Sequence, residues 1–359
     1  MKILILPGDD IGPEITVPTA AALDALNEIF SLGLEFEQKI IGFDAFDKEG
    51  STFSDATLEA SRNSDAVILG PVGTFKYPPK EEGGVSPSST LRKELDLYAN
   101  IRPSRTRSGV ASVIPKMDLV FMRENTEGFY ADRNMFMGSG EFMPTEDVAL
   151  SVRKITREGS RRIAVQAFEL ASKRRNKVTI VHKGNVLKVS EGLFISVARE
   201  VGKDYPGVEI EDLIVDAAAA HLVRRPADFD VILTTNMYGD ILSDEAAELS
   251  GGLGLGAAIN VGDVHGIAQA AHGSAPDIAG RGIANPTALM VSSAMLLGWL
   301  GEKHGRDDLV KAAEHFENAV DATLANPQNH TPDLGGTGTT IGFGAAVISA
   351  IQDQRELRI

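Results

Sequence analysis

Thr234-Thr-Asn-Met-Tyr-Gly-Asp-Ile-Leu-Ser-Asp244 follows the apolar run Phe229-Asp-Val-Ile-Leu233, which reads as a buried strand leading into a turn at Gly239. Beyond the turn, Ile241, Leu242, Ala246, Ala247 and Leu249 recur at helical spacing. A strand-to-helix unit is therefore expected, with Asp240 and Asp244 on one face of the helix's first turn. Two carboxylates so placed suit a hard divalent cation such as Mg²⁺ or Mn²⁺, which prefers oxygen ligands. They equally suit an N-cap with a solvated acid, since carboxylates favour helix N-termini. The stretch alone leaves both readings open.

The same alternation extends outward in both directions. Lys2 to Leu6 is a strand, and Pro7-Gly-Asp-Asp-Ile-Gly-Pro-Glu14 is a turn opening a helix that runs to about Phe30. A strand at Leu34 to Ile40, a helix at Asp55 to Asn63 and a strand at Ala66 to Leu69 follow. This order predicts an α/β protein whose largely parallel sheet is covered by helices. Gly70-Pro-Val-Gly73 then lies at a sheet edge of the kind where ligands bind. Downstream, a helix is expected from Thr156 to Ala171, with Lys173-Arg-Arg-Asn-Lys177 as its charged end. The strand Val178 to His182 delivers Lys183, which is either a solvated charge or a general acid or base. Asp212-Leu-Ile-Val-Asp216 ends in a third acid at a strand-to-helix junction. Residues 131–145 read as an irregular excursion, with Met135, Met137 and Met143 as adaptable packing at a subunit contact.

Composition narrows the function classes. A chain of 359 residues fits two domains, and 43% hydrophobic with 24% charged residues is that of a globular protein. A net charge of −15 argues against a nucleic-acid surface but not against a small anion held by local arginines. Arg92 lies beside an expected helix face formed by Leu91, Leu95 and Tyr98. Arg102 precedes a proline and is expected in extended backbone, and Arg123 closes the strand-like run Leu119-Val-Phe-Met. Each alone is a surface charge; together they can form a bidentate carboxylate clamp. The absence of cysteine excludes disulfides, thiolate zinc sites and thiol nucleophiles. The N-terminal apolar run is too short for a signal peptide. The stretch Ala288 to Leu300, which contains two serines, is too short to span a membrane. A soluble, cytoplasmic protein is expected. Gly251-Gly-Leu-Gly-Leu-Gly256 lacks the spacing of the dinucleotide fingerprint, whereas His272-Gly-Ser-Ala-Pro-Asp-Ile-Ala-Gly-Arg-Gly-Ile-Ala-Asn-Pro286 has the character of a functional loop. A second glycine loop is Asp333-Leu-Gly-Gly-Thr-Gly338.

The blocks Gly8 to Glu14, Leu91 to Pro103, Arg123 to Tyr130, Asn236 to Asp244 and His272 to Pro286 occur in the order and separation of one family. Over essentially its whole length the chain resembles the isocitrate/isopropylmalate dehydrogenases, metal- and NAD(P)-dependent β-decarboxylating enzymes. The resemblance implies two α/β domains sharing a mixed central sheet, distinct from a standard Rossmann domain. A large cofactor domain would comprise 1–98 plus 251–359, and a second domain with substrate and metal residues and the dimer interface would comprise 99–250. It assigns the substrate carboxylates to Arg92, Arg102 and Arg123, the metal to Asp216, Asp240 and Asp244, and catalysis to Tyr130 and Lys183. Cofactor contacts fall on His272, Gly273, Ser274, Ala275, Asp277, Ile278 and Asn285. Lys183 and Asp216 would come from the second subunit of an obligate homodimer. Two departures stand out: Asp10 replaces a glycine, and Ala268-Gln-Ala-Ala271 replaces a Phe-Glu-Pro-Val-like run. Regulatory subunits of this family keep the fold without catalysis, but the set Tyr130, Lys183, Asp216, Asp240 and Asp244 is complete here.

NAD is expected over NADP, because Asp277 and Ile278 stand where NADP-using relatives carry lysine and tyrosine. The substrate's third-carbon group would meet Ser86-Pro-Ser-Ser-Thr90, where Ser88 and Ser89 replace the leucines of isopropylmalate enzymes and Ser86 and Ser88 match the polar pair of isocitrate enzymes. An isocitrate- or homoisocitrate-like substrate is therefore expected, with 3-isopropylmalate and D-malate or tartrate as alternatives.

Overall fold

The computed structural model describes residues 1–356; residues 357–359 of the expected 251–359 segment lie outside the described residues. The chain opens with β1 (Lys2–Leu6), α1 (Gly12–Phe30), β2 (Glu35–Gln38), α2 (Phe43–Glu49), α3 (Asp55–Arg62) and β3 (Ala66–Leu69). After two short 3₁₀ turns come α4 (Pro87–Glu94), β4 (Ala99–Arg105) and β5 (Asp118–Glu124), then a hairpin of β6 (Glu141–Thr145) and β7 (Val148–Ser151). Next are α5 (Arg157–Ser172), β8 (Lys177–His182), α6 (Ser190–Gly202), β9 (Glu209–Ile214), α7 (Val215–Arg224), β10 (Val231–Thr234) and α8 (Asn236–Ser250). The chain closes with β11 (Ile259–Val261), β12 (Gly266–Gln269), α9 (Thr287–His304), α10 (Asp307–Leu324) and α11 (Thr340–Glu356).

Ten strands form one sheet in the order β2-β1-β3-β12-β11-β4-β5-β10-β8-β9. β2, β1, β3 and β12 are mutually parallel, as are β5, β10, β8 and β9. β11 and β4, antiparallel to each other and to their outer neighbours, join the two blocks. The sheet is therefore mixed, as the resemblance implied. Strands β3 and β10 are buried at every residue, the pattern of strands covered on both faces, so their sequences are continuous apolar runs.

Helix α9 explains the apolar stretch Ala288 to Leu300. It is enclosed by α1, α10 and the sheet, and its buried Ser292 and Ser293 hydroxyls donate to the carbonyls of Ala288 and Leu289. Such i−4 bonds satisfy a hydroxyl inside an apolar helix. Among the described residues no helix is long and apolar enough to cross a membrane.

The structure corrects several local readings. Gly239 is not a turn but lies inside α8, which already begins at Asn236. Leu91, Leu95 and Tyr98 do not share a helix, because α4 ends at Glu94 and Asp96 turns the chain with φ 47°. Tyr98 is buried instead by a bond from its hydroxyl to Asp263 at 3.0 Å. The basic run after α5 is not simply a charged helix end. Arg174 reaches Asp118 and Asp230 at 2.7 and 2.8 Å, and Arg175 reaches Asp118 at 3.2 Å, tying α5 to the starts of β5 and β10. The excursion at 131–145 contains β6 and continues to β7; every residue of both strands is exposed, with Phe136, Met137 and Met143 bare at its tip and edge.

Candidate active site

Strand register assembles the polar centre. Asn100 of β4 pairs with Arg123 of β5, and Asn260 of β11 pairs with Asn100, so the three share one sheet face. Arg102, two residues along, projects from that face too. The row is knitted together: Asn100 donates to Asn260 at 2.8 Å, and Arg102 Nε donates to Asn100 at 2.6 Å. The block after Arg123 supports it. Glu124 accepts from the Thr126 and Glu127 backbone, and Asn125 donates to the Leu97 carbonyl and to Asn260 at 2.8 and 3.0 Å.

Helix α8 lies over this row, and Gly239 allows the approach. A Cβ there would stand 2.6 Å from Cγ of Arg123, whose side chain is 1% exposed and donates to the Asn236 carbonyl and side chain. Gly239→Ala is expected to destabilise the protein by roughly 1–3 kcal/mol, the range for overpacking, and to lower turnover at least about tenfold by displacing Arg123. Thermal melts and steady-state rates check this; a variant matching the parent in both would show that Arg123 can shift without consequence.

The overlay of α8 on the arginines sets the electrostatics. Asp240 Oδ1 accepts from Arg123 at 2.6 Å and Arg102 at 3.1 Å, and its Oδ2 accepts from the Tyr130 hydroxyl at 2.7 Å. One turn later, Asp244 accepts from Arg102 at 3.0 Å. Burial pushes the Asp240 carboxyl up, but the Arg123 and Arg102 guanidiniums outweigh it and hold it below the usual range. At Asp244 burial prevails over Arg102, with Asp240 adding repulsion, and the carboxyl is raised. Burial, opposed by Arg123, raises the Tyr130 phenol, so it stays a protonated donor at neutral pH. Burial and then the Arg123 charge lower Arg102 to about 10, against the pull of Asp240 and Asp244. Arg92 is driven well below its usual range by burial and by Arg123, Arg133 and Arg102. The four guanidiniums thus repel one another, a condition that arriving carboxylates relieve.

Lys183 and Asp216 form a separate pair at 2.5 Å, across the ends of β8 and α7, with the Asp216 side chain 68% exposed. The lysine's hydrogen bond holds the Asp216 carboxyl below its usual range. Among the described residues no three acidic or histidine side chains are grouped so as to hold a metal. One chain therefore brings together Arg92, Arg102, Arg123, Tyr130, Asp240 and Asp244, but not Lys183 or Asp216.

A cleft of about 590 Å³ opens nearby, lined by His272, Gly273, Ala275, Ile278 and Asn285 of the expected loop. Ser274 and Asp277 are outside its wall; the Ser274 carbonyl accepts from Ile11 N–H at 3.1 Å, and Asp277 is exposed. Glu14, in the first turn of α1, accepts from the N–H groups of Gly280 and Gly282 and so anchors the loop. Burial lowers the His272 imidazole below its usual range.

Residues 2–347 match the family model described as isocitrate/isopropylmalate dehydrogenase. The 3-isopropylmalate dehydrogenase of Archaeoglobus fulgidus is 42% identical over 351 residues, covering 98% of this chain and 99% of the relative. The chain belongs to the isocitrate/isopropylmalate dehydrogenase family. It is likewise 42% identical to the isocitrate/homoisocitrate dehydrogenase of Thermus thermophilus, over 98% of each chain. The crystal structure of isocitrate dehydrogenase from Methylococcus capsulatus superposes with a TM-score of 0.85 at 40% identity, covering 98% and 99% of the two chains. As a member of this family of metal-dependent oxidatively decarboxylating dehydrogenases, the chain is an enzyme acting on a small carboxylate.

The site also draws on residues outside the expected set. Leu253 and Gly254, from the glycine run set aside as no fingerprint, line the cleft with Ile11, Pro332 and Asp333. Asp333 opens the second glycine loop and accepts from Asn285 at 2.9 Å, so that loop carried an unused signal. Gln269, within the departure at 268–271, meets Ser88 at 3.2 Å, Arg92 at 3.4 Å and Asn260 at 3.5 Å. Ser86 caps α4 by accepting from Ser89 N–H at 3.3 Å, which leaves its own O–H free to donate. Asp10 holds a left-handed φ of 52° where the family pattern has glycine. Asparagine and aspartate tolerate that region best among residues with a side chain.

Proposed function

We propose that this enzyme carries out the NAD-dependent, divalent-metal-dependent oxidative decarboxylation of a 3-substituted (2R)-malate whose third-carbon group is polar or carboxylated. The observation that carries the reading is the convergence of Arg92, Arg102 and Arg123 on Asp240, Asp244 and Tyr130. In this reading the arginines exchange their aspartate partners for substrate carboxylates, and the freed Asp240 and Asp244 oxygens, one helical turn apart, become ligands. Such an all-oxygen donor set fits Mg²⁺ or Mn²⁺. The bound cation supplies Lewis-acid polarisation of the substrate's 2-oxygen. His272, Gly273, Ala275, Ile278 and Asn285 around the cleft would hold NAD, which would supply the hydride acceptor for carbon 2.

The protein's own groups handle the protons. A base linked to Lys183 of the partner subunit would take the 2-hydroxyl proton as the hydride leaves. Carbon 3, alpha to the new ketone, then loses its carboxylate as carbon dioxide, and the electron pair of the broken bond passes into the enolate. The neutral Tyr130 phenol, oriented by Arg123 at 2.7 Å and by Asp240, returns a proton to carbon 3 of the enol. Shared sites are supported by the Lys183–Asp216 pair standing apart from the other residues and by the bare apolar hairpin, which a second copy would cover. The cleft lining supports a cofactor domain of 1–98 plus 251–359 and a second domain of 99–250, because Ile11, Leu253, His272 and Asp333 all come from the first set.

Around Ser88 and Ser89 the polar side chains form a bonded network, which supports a polar third-carbon substituent. The serine hydroxyls there are not orphaned: Ser88 donates to Gln269 and Ser89 accepts from Arg133 at 3.1 Å. An isopropyl group would lie against four polar side chains and forgo roughly 1–3 kcal/mol of discrimination. Purified enzyme with Mn²⁺ should therefore turn over isocitrate or homoisocitrate with a higher kcat/KM than 3-isopropylmalate, D-malate or tartrate. A best rate on 3-isopropylmalate would overturn the reading. For the cofactor, NAD should exceed NADP at least about tenfold in kcat/KM, because the exposed Asp277 carboxylate repels a 2′-phosphate and accepts from a free 2′-hydroxyl. Equal efficiencies would remove Asp277 from cofactor selection.

A further inference from the structure

Arg133 has no part in the three-arginine clamp, yet its side chain is only 5% exposed. Its Nη1 donates to the Asn125 carbonyl at 2.8 Å, its Nη2 to Ser89 Oγ at 3.1 Å, and its Nε to Asp132 at 3.3 Å. Three of its five N–H groups thus have partners, and only one partner is charged. That partner, Asp132, is half-exposed and poorly placed to neutralise a buried guanidinium. The guanidinium also covers the Tyr130 ring at 5.1 Å and adds to the positive field on Arg92. A cavity of about 510 Å³ adjoins it, walled by Ser86, Ser89, Asp132, Lys80 and Lys93 among others. A buried, under-neutralised guanidinium bridged by a lone serine hydroxyl to roomy space matches the requirements of a carboxylate site.

We propose that Arg133, with Ser89, binds a carboxylate at the end of the substrate's third-carbon substituent, making it the residue that selects a carboxylated side arm. The assignment deepens the function proposed above and rests on it. The arriving carboxylate takes over the Ser89-facing Nη2 and an unused N–H of the same fork, while Ser89 turns its hydroxyl to donate to the second oxygen. Because the same guanidinium lies over Tyr130, side-arm binding also steadies the proton donor. A malate lacking the arm gains neither contact.

The test uses the full-length enzyme with Mn²⁺ and NAD, comparing homoisocitrate, isocitrate, D-malate and 3-isopropylmalate. In Arg133→Gln, the ratio of kcat/KM for the best tricarboxylate to that for D-malate should fall about 10–100-fold, chiefly through KM, as expected for losing a charge-assisted pair. Arg133→Lys should restore part of the ratio. Ser89→Leu, which leaves Arg133 in place and walls the space with an apolar group, should move the ratio the same way. Equal losses on every substrate, confined to kcat, would make Arg133 only a support for Tyr130 and overturn this assignment while the proposed function stands. A parent enzyme fastest on 3-isopropylmalate or D-malate would overturn both.

Discussion

Asp240→Asn is expected to lower turnover at least about 10³-fold while leaving the fold in place. Asp240 is the point where the site's parts meet: Arg123, Arg102 and Tyr130 all bond to its two oxygens. The amide keeps the shape and one acceptor oxygen, so Arg123 retains a partner. It loses the negative charge and replaces one oxygen with NH₂, which neither accepts from Tyr130 nor ligates a hard cation. Metal polarisation of the reacting oxygen is worth several kcal/mol, hence the size of the expected loss. The cost to stability should be smaller than the 3–5 kcal/mol of a fully buried broken pair, because the Asp240 side chain is 39% exposed and the amide oxygen still accepts from Arg123. Three measurements separate these effects: kcat at saturating Mn²⁺, the Mn²⁺ concentration giving half activity, and the melting temperature. Full activity at limiting Mn²⁺ would remove Asp240 from the metal site.

Mixed protomers of Lys183→Ala and Tyr130→Phe should regain activity that neither homodimer has. If Tyr130 comes from one chain and Lys183 from the other, each heterodimer assembles one site with both groups and one with neither. Random mixing makes half the dimers heterodimers, so roughly a quarter of parental activity is expected. Among the described residues of its own chain the Lys183 ammonium bonds only to the exposed Asp216, so the lysine variant should keep its fold and remain available for exchange. Verified heterodimers with no activity would place both groups in the same chain's site.

Some of the departures between sequence and structure have a common cause. Gly239 reads as a turn because glycine usually marks one, yet it sits in a helix so that Arg123 can pass beneath. Arg174 and Arg175 read as a solvated helix end because their partners, Asp118 and Asp230, lie more than fifty residues away. Gln269 lay inside a departure from the family pattern, and Arg133 in a stretch read as irregular. Neither became informative until strand pairing set Gln269 beside Ser88 and the chain's turn set Arg133 beside Ser89.

What the sequence by itself determined was everything carried by local periodicity and by ordered motifs. That covers the α/β alternation, the two acids on one face of α8, the arginine positions and the loop at His272, all within short segments whose backbone preference and spacing are intrinsic. Tertiary structure alone decided which of these face one another. The antiparallel register of β4, β5 and β11 aligned Asn100, Arg123 and Asn260, and the crossing of α8 over them set Asp240 against two guanidiniums. The charge states at the site follow from those approaches, because burial and opposed charges within a few ångströms, and not residue type, determine which way each group is shifted.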